Sequence, residues 1–330
     1  MFLILKEKPF TIYIISGIPS RSEELHRAMK SALEQDYTNY NIVVRIGYED
    51  SIAKSLATDK VIFSPFDGSE IGIGKRLGLN LAESLKHFND YVCFMDDDDY
   101  FDPKKLKRIN EEFENDCVYV HNSIAAVDEN GKEVQYSNGR DDFNMSSISV
   151  NKKVIDRQLF LGLNSSLDTA IYLCAINIGK LRFIRDKLTY YTIHSSTTLG
   201  FFGNIEEWRA RKLYSYLDII QPTYEYFVSY FKGTPAEVYA MKLLNMNKLF
   251  IRIYSGNNNK MKVGLLNVLK TVLLKQYYQY RDTFASKVIL ASYLSRKLIL
   301  NRLYILDSQL IMEDSDKKNK SSASEIHKWN

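Results

Sequence analysis

The fold is decided by residues 91–103, which read YVCFMDDDDYFDP. The run from Tyr91 to Met95 is short and apolar, a pattern typical of a buried strand in a parallel sheet. It ends in four consecutive carboxylates, Asp96 to Asp99. Carboxylates about 4 Å apart repel by roughly 1 kcal/mol per pair in water, and by more near a protein interior, so this cluster needs a counter-charge. Open α/β sheets bind ligands at the carboxyl ends of their strands, and the run therefore indicates a binding site.

The spacing of the acids favours a divalent cation as that counter-charge. Asp96 and Asp98 lie two residues apart where the strand gives way to a loop, so both can present oxygen atoms to the same side. Hard oxygen ligands suit Mn2+ or Mg2+. An acidic run is more often a solvated surface loop, but the buried strand before it and the helix start at Asp102-Pro103 behind it favour a site. A calcium EF-hand is excluded, because its glycine and terminal glutamate are missing.

The whole chain has the composition of a globular protein. Its 330 residues are 45% hydrophobic and 25% charged, enough for one large core or two smaller ones. Three scattered cysteines without C-x-x-C spacing argue against a zinc site or a disulfide framework and fit a reducing compartment. The N-terminal MFLIL is too short for a signal peptide, and no apolar run reaches about 18 residues. We therefore expect a cytoplasmic protein without a transmembrane helix.

Strands and helices alternate on both sides of the acidic run. Upstream we predict strands at 11–17, 41–46 and 60–64, a helix at 22–34 capped by Ser22, and a helix at 75–87. This alternation is the signature of a doubly wound parallel sheet. Downstream the sheet is expected to become mixed, with a helix at 104–114, a strand at 117–122, a turn at 129–131, a helix at 167–178 and a strand at 187–194.

The second half of the chain is helical in pattern and basic. Residues 247–302 hold eleven Lys or Arg against one acid, Asp282, and a helix is expected to start at Pro235. Such helices either pack on the sheet with solvated basic residues or dock on an anionic membrane surface, and both interpretations stay open. No nucleic-acid-binding module is recognised. We expect residues 1–203 to form the α/β domain, 204–312 a helical C-terminal region, and 313–330 a disordered tail.

In this order, these pieces resemble the family 2 glycosyltransferases over roughly residues 10–200. Residues 31–37, SALEQDY, look like the family's S-x-x-x-Q-x-Y element, and Arg76 lies in a helix that looks like its donor-contacting helix. FMDDDD at 94–99 is similar to the family's D-x-D metal segment, and Tyr191-x-x-His194 to its late Tyr-x-x-His element. The resemblance implies the GT-A fold, a Rossmann-like mixed α/β sheet.

The resemblance also implies roles for individual residues. Asp168, at the head of a helix, falls where the family carries its catalytic base. Mn2+ or Mg2+ would be held by Asp96, Asp98 and His194. Contacts to a nucleoside-diphosphate-sugar donor are assigned to Ile18, Arg21, Arg76, Asp96, Asp97 and Asp99.

Four positions depart from the family pattern. Arg45 and Ile46 stand where the family ends its second strand in acids that contact the nucleotide base, and Glu49 or Asp50 is a candidate substitute. Leu167 replaces the acid usually found before the catalytic base, and Thr192 replaces an arginine of the late element. The departure at Arg45 and Ile46 leaves recognition of the nucleotide base open.

The implied function is a metal-dependent, inverting hexosyltransferase of polysaccharide biosynthesis. It would move a sugar from a nucleoside-diphosphate-sugar to a saccharide or lipid-linked acceptor, from the cytoplasm or from the inner face of the membrane. Two alternatives stay open: a non-catalytic carbohydrate- or partner-binding module with the same fold, and a nucleotidyltransferase that makes sugar nucleotides. The second lacks its glycine- and arginine-rich loop in SGIPSRSE at 16–23.

Overall fold

The structure is a computed structural model that describes residues 6–67, 75–114, 116–134, 144–163, 165–193 and 214–254. Within them, eight strands form one mixed sheet: β1 (Phe10–Ser16), β2 (Tyr40–Ile46), β3 (Val61–Pro65), β4 (Tyr91–Asp96), β5 (Tyr100–Phe101), β6 (Cys117–Val127), β7 (Ile148–Asn151) and β8 (Lys180–Thr192). Their order across the sheet is β3-β2-β1-β4-β7-β6-β8-β5. The mixed α/β sheet expected from the sequence is confirmed.

The first half of the sheet is parallel. β1 lies between β2 and β4, and β3 pairs in parallel with the outer side of β2. At the carboxyl ends Ile15 pairs with Asp96 and Ser16 pairs with Ile46, so the loops that follow three strands leave from one edge of the sheet. The two central strands are almost wholly inaccessible to solvent because helices cover both faces of a doubly wound sheet.

The second half is mixed. β7 runs antiparallel to β4 and to β6, whereas β8 runs parallel to β6. The two-residue strand β5 pairs antiparallel with β8, matching Tyr100 with Tyr190 and Phe101 with Thr189. This pairing places the two residues that follow the four acids beside the carboxyl-terminal end of β8.

Eight α-helices accompany the described strands: α1 (Ser22–Leu33), α2 (Ser51–Ser55), α3 (Lys75–Ser84), α4 (Lys105–Glu112), α5 (Arg157–Leu161), α6 (Leu167–Ile178), α7 (Gln221–Tyr230) and α8 (Pro235–Tyr254). The prediction that Ser22 caps α1 is wrong. Arg21 holds the cap position without a side-chain bond. Ser22 already has helical backbone angles, φ −59° and ψ −39°, and its hydroxyl donates to Asp50 at 2.5 Å. The predicted start of α8 at Pro235 is confirmed.

The chain divides into two compact units, and among the described residues 214–222 and 242–254 belong to the second. The described part of that second unit is helical, with a π-helix at Ser215–Ile220. The predicted domain boundary at 203/204, the basic helices beyond residue 254 and the tail at 313–330 lie outside the described residues. In the part of the chain that is described, no helix has the length and apolar character needed to cross a membrane.

Gly78 allows α3 to pack directly against the backbone of α5. A Cβ at Gly78 would lie 2.4 Å from the carbonyl oxygen of Phe160 and 3.3 Å from the Cβ of Leu163. Replacing a helical glycine by alanine normally stabilises by roughly 1 kcal/mol. Here the clash is with main chain, so we expect Gly78→Ala to lower the free energy of unfolding by about 1–3 kcal/mol, measured by urea denaturation.

Gly233 provides the control for this substitution. It has φ +79° and an added Cβ would meet nothing within 4 Å, so Gly233→Ala carries only the cost of a left-handed backbone, on the order of 1 kcal/mol. If Gly78→Ala were as stable as the unmodified protein, the close packing of α3 on α5 would be contradicted.

Candidate active site

The four acids close a tight turn at the end of β4, here called the acidic turn (Asp96–Asp99). The N–H of Asp99 donates to the carbonyl of Asp96 at 3.2 Å. Asp97 is 6% exposed and Asp99 is 0% exposed. A solvated acidic loop is therefore excluded, because at least two of the four carboxylates are removed from water.

The protein supplies part of the counter-charge itself. The Arg21 guanidinium donates to Asp98 Oδ2 at 2.9 Å and lies 3.4 Å from Asp97 Oδ1. The Ser16 hydroxyl donates to the second oxygen of Asp97 at 2.6 Å. The sequence predicts donor contacts for both Arg21 and Asp97, and the structure places the two side chains together at the sheet edge.

The carboxylates of Asp96, Asp98 and Asp99 repel one another. Asp96, Asp98 and Asp99 each place one oxygen within 4.8 Å of the others. Burial, and then the charges of Asp98 and Asp97, raise the pKa of Asp96 to about 8. Burial and the same kind of repulsion raise the pKa of Asp99 well above its ordinary value.

The donor set fits a divalent cation. Asp99 Oδ1 accepts the N–H of Thr192 at 3.0 Å, whereas Asp99 Oδ2 is buried without a hydrogen-bond partner among the described residues. A cation there would satisfy this oxygen and relieve the repulsion, and clustered carboxylate oxygens suit Mn2+ or Mg2+. His194, the third ligand that the sequence suggested, lies outside the described residues.

A buried lysine lies behind the acidic turn, and sequence reasoning missed it. Lys105 is 0% exposed, and its Nζ donates to the Ser146 carbonyl at 2.5 Å and to the Thr189 hydroxyl at 2.9 Å. The Ser146 hydroxyl in turn accepts the N–H of Asp96 at 2.9 Å. Burial lowers the pKa of Lys105 to about 7. The lysine therefore ties β8 to the segment that supports the start of the acidic turn.

Asp168 and Asp96 line one cavity of about 320 Å³. The cavity also has apolar walls, which include Ile15 of β1 and Leu77 of α3. Burial raises the pKa of Asp168 to about 6, and its Oδ1 accepts the N–H of Thr169 at 2.7 Å. The structure thus brings Asp96 of the acidic turn and Asp168 of α6 to the same cavity.

The backbone in front of α6 is unusual. Ser166 has φ 60° and ψ 48°, a left-handed conformation that costs a non-glycine residue about 1–3 kcal/mol. Strain of this kind clusters at functional sites, and here it lies two residues before Asp168. Ser166, Leu167 and Asp168 all line the cavity.

The other residues predicted to contact the donor or its nucleotide base lie in different surroundings. Ile18 is exposed in the loop between β1 and α1, and Arg76 lies in α3 with its side chain outside the described part. Asp50 is occupied: it accepts the Ala53 N–H at 2.8 Å as the cap of α2, and it also binds Ser22 and His26.

Arg45, which stands where the family pattern has an acid, is buried and hydrogen-bonded to its neighbours. Its guanidinium donates to Asn80 at 2.8 Å, to Ser64 at 2.9 Å and to the carboxylate of Glu83. Glu49 forms a surface pair with Lys54. In this structure the Arg45 side chain near the end of β2 therefore binds neighbouring protein groups at the sheet edge.

Comparisons with known proteins agree with this geometry. The family model described as glycosyl transferase family 2 matches residues 18–169, a segment that contains the acidic turn and ends one residue after Asp168. No curated protein matches the chain.

Two solved structures are similar in fold. S. aureus TarS 1–349 in complex with UDP-GlcNAc is 15% identical, with 82% of this chain and 81% of that chain covered and a TM-score of 0.49. The mannosyltransferase PcManGT from Pyrobaculum calidifontis in complex with GDP-Man and Mn2+ is 10% identical, with 93% and 85% covered and a TM-score of 0.51. Residues 18–169 of this chain therefore match the model of glycosyl transferase family 2, and the surrounding sheet has the GT-A fold.

Proposed function

We propose that the protein is a metal-dependent, inverting hexosyltransferase that moves a sugar from a nucleoside-diphosphate-sugar to a saccharide or lipid-linked acceptor. One observation carries the proposal: Asp96 of the acidic turn and Asp168 of α6 line the same cavity within the family 2 segment. A binding module that had lost catalysis would not need a desolvated carboxylate opposite a cluster of metal-binding type.

The acidic turn would hold the donor's diphosphate through Mn2+ or Mg2+. Asp96, Asp98 and Asp99 are the ligands proposed for the metal, together with His194. A bound divalent metal supplies Lewis-acid stabilisation of the charge that builds up on the departing diphosphate. Arg21 lies beside the turn and can add a fixed positive charge, and PcManGT, which shares the fold, carries both Mn2+ and GDP-Man.

Asp168 is proposed as the general base. Its carboxylate takes the proton of the acceptor hydroxyl while the hydroxyl oxygen forms its bond to the anomeric carbon. The bond from that carbon to the diphosphate oxygen breaks, and its electron pair leaves with the diphosphate. A single displacement from the opposite face inverts the anomeric centre.

The pH dependence of transfer should follow the pKa of Asp168. Burial raises this pKa from 3.8 to about 6, and a base must be ionised, so activity is lost as the pH falls through about 6. We expect kcat/KM to be level above that pH and to fall about tenfold per pH unit below it, measured at saturating Mn2+. A level profile down to about pH 4.5 would contradict the role of a desolvated base.

The assignment is tested by incubating the protein with UDP-GlcNAc, UDP-glucose, UDP-galactose and GDP-mannose and measuring the released nucleoside diphosphate. We expect release from one donor with Mn2+ and none with EDTA. Thermal-shift binding of a sugar nucleotide without any turnover would favour the binding module instead. Stabilisation by none of the four donors would contradict the proposal.

Three further parts of the function stay predictions. The lipid-linked acceptor and the anionic membrane partner depend on the basic helices predicted from the sequence, most of whose residues lie outside the described part. The peripheral location at the inner face of the membrane depends on the same segment.

A further inference from the structure

Arg27 of α1 contacts three separate segments around the acidic turn. Its Nη2 donates to the carbonyl oxygen of Asp98 at 3.2 Å and to the hydroxyl of Thr192 at 3.0 Å. Its Nη1 donates to the carbonyl oxygen of Glu129 at 3.1 Å, in the turn after β6. One side chain thus joins the acidic turn, the end of β8 and the turn that follows β6.

We propose that Arg27 is a positioning residue that holds the acidic turn against the end of β8, so that Asp98 and Asp99 keep the orientation needed to bind one metal ion. The inference rests on the proposed function, since it concerns the same site. The observation that supports it most directly is that one Arg27 nitrogen, Nη2, donates hydrogen bonds to both Asp98 and Thr192.

Arg27 does not neutralise the charge of the acids. Its hydrogen bonds instead fix the positions of the segments that it contacts. Its three hydrogen-bond acceptors are two backbone carbonyls and a hydroxyl, whereas Arg21 makes the ion pairs with the acids. A planar guanidinium can serve several acceptors at fixed angles, and a lysine ammonium on a flexible stem cannot reproduce that pattern.

The plane of the guanidinium is itself fixed by stacking. Arg27 lies over the Tyr100 ring at 5.0 Å, and Tyr100 stacks on Tyr190 at 4.6 Å with 13° between the ring planes. Because β5 and β8 carry these two rings, the orientation of Arg27 is tied to the strand pair that flanks the acidic turn.

The effect reaches two of the three clustered acids. Arg27 holds Asp98 through its backbone carbonyl. It holds Asp99 indirectly, because the Thr192 that receives its hydrogen bond donates its own N–H to Asp99 Oδ1 at 3.0 Å. Groups that orient metal ligands in this way commonly change metal affinity by about 10- to 100-fold when they are removed.

The test compares Mn2+ binding by Arg27→Lys, Arg27→Gln and Lys30→Gln in the full chain, using the electron paramagnetic resonance signal of free Mn2+ with UDP or GDP present. Lys30 is exposed on the same helix, so its variant removes one charge without removing the contacts. We expect both Arg27 variants to weaken Mn2+ binding by about 10- to 100-fold and Lys30→Gln to leave it unchanged. A loss in Arg27→Lys, which keeps the charge, identifies geometry as the cause.

A second variant keeps the idea testable if Arg27→Gln does not fold. Thr192→Val removes the hydroxyl but keeps the N–H to Asp99, and we expect it to weaken Mn2+ binding in the same direction. Arg27 variants that bind Mn2+ normally but unfold at lower urea would show a merely structural role and overturn the inference alone. A wild-type protein that binds neither Mn2+ nor the nucleotides would overturn the proposed function, and this inference with it.

Discussion

Replacing Asp168 by asparagine is expected to lower kcat by about a hundredfold or more, the usual scale of base catalysis. The amide has the shape of the carboxylate but cannot accept the acceptor's proton. Donor binding should be nearly unchanged, because it depends on the acidic turn and its metal. The measurements are kcat from nucleoside diphosphate release and donor affinity from titration calorimetry.

A matched control is available on the neighbouring helix. Asp156 caps α5 by accepting the N–H groups of Gln158 and Leu159, and asparagine is an equally good cap. Asp156→Asn should therefore retain full turnover. Retained turnover in Asp168→Asn as well would remove Asp168 from the mechanism, whereas a loss of donor binding in that variant would assign it to the donor instead.

Replacing Asp98 by asparagine is expected to weaken Mn2+ binding by at least the 10- to 100-fold that outer-shell changes produce, since a ligand charge is lost. The Arg21 ion pair at 2.9 Å would become a hydrogen bond to an uncharged amide, so the substitution also weakens the contact of Arg21 with the acidic turn. Calorimetric titration with Mn2+, with and without UDP or GDP, measures the change.

Asp102→Asn serves as the control for this substitution. Asp102 lies beyond β5, and its side chain accepts the N–H of Lys104 at 2.9 Å, outside the clustered oxygens. Its replacement should leave Mn2+ affinity as it was. Equal Mn2+ affinity in Asp98→Asn and the unmodified protein would contradict a metal site at the acidic turn.

The features that the sequence predicted well are those with a local signal. The apolar run before Asp96 marks β4, and the helix predicted at 167–178 is α6 with the same bounds. Alternation of strands and helices was enough to predict the parallel half of the sheet. The placing of Asp96 and Asp168 in one site was implied by the family resemblance, not by spacing, because the cavity that both line depends on the packing of the whole domain.

The features that were missed arise from contacts between distant segments. Lys105 and Arg27 belong to amphipathic helices in which a basic residue is expected to face solvent, and only the folded sheet shows what they bind. β5 has two residues, too few for a period-2 pattern to be recognised. Ser22 had the residue type of a cap, but its backbone is already helical and its hydroxyl binds Asp50.

The central claim is that the acidic turn binds a divalent cation together with the donor's diphosphate. A crystal structure of the protein grown with Mn2+ and either UDP or GDP tests it most directly, with anomalous scattering to locate manganese. We expect one ion bound by oxygens of Asp96, Asp98 and Asp99, in contact with the diphosphate. A nucleotide bound elsewhere, or a site without manganese at saturating concentrations of both, would contradict the claim.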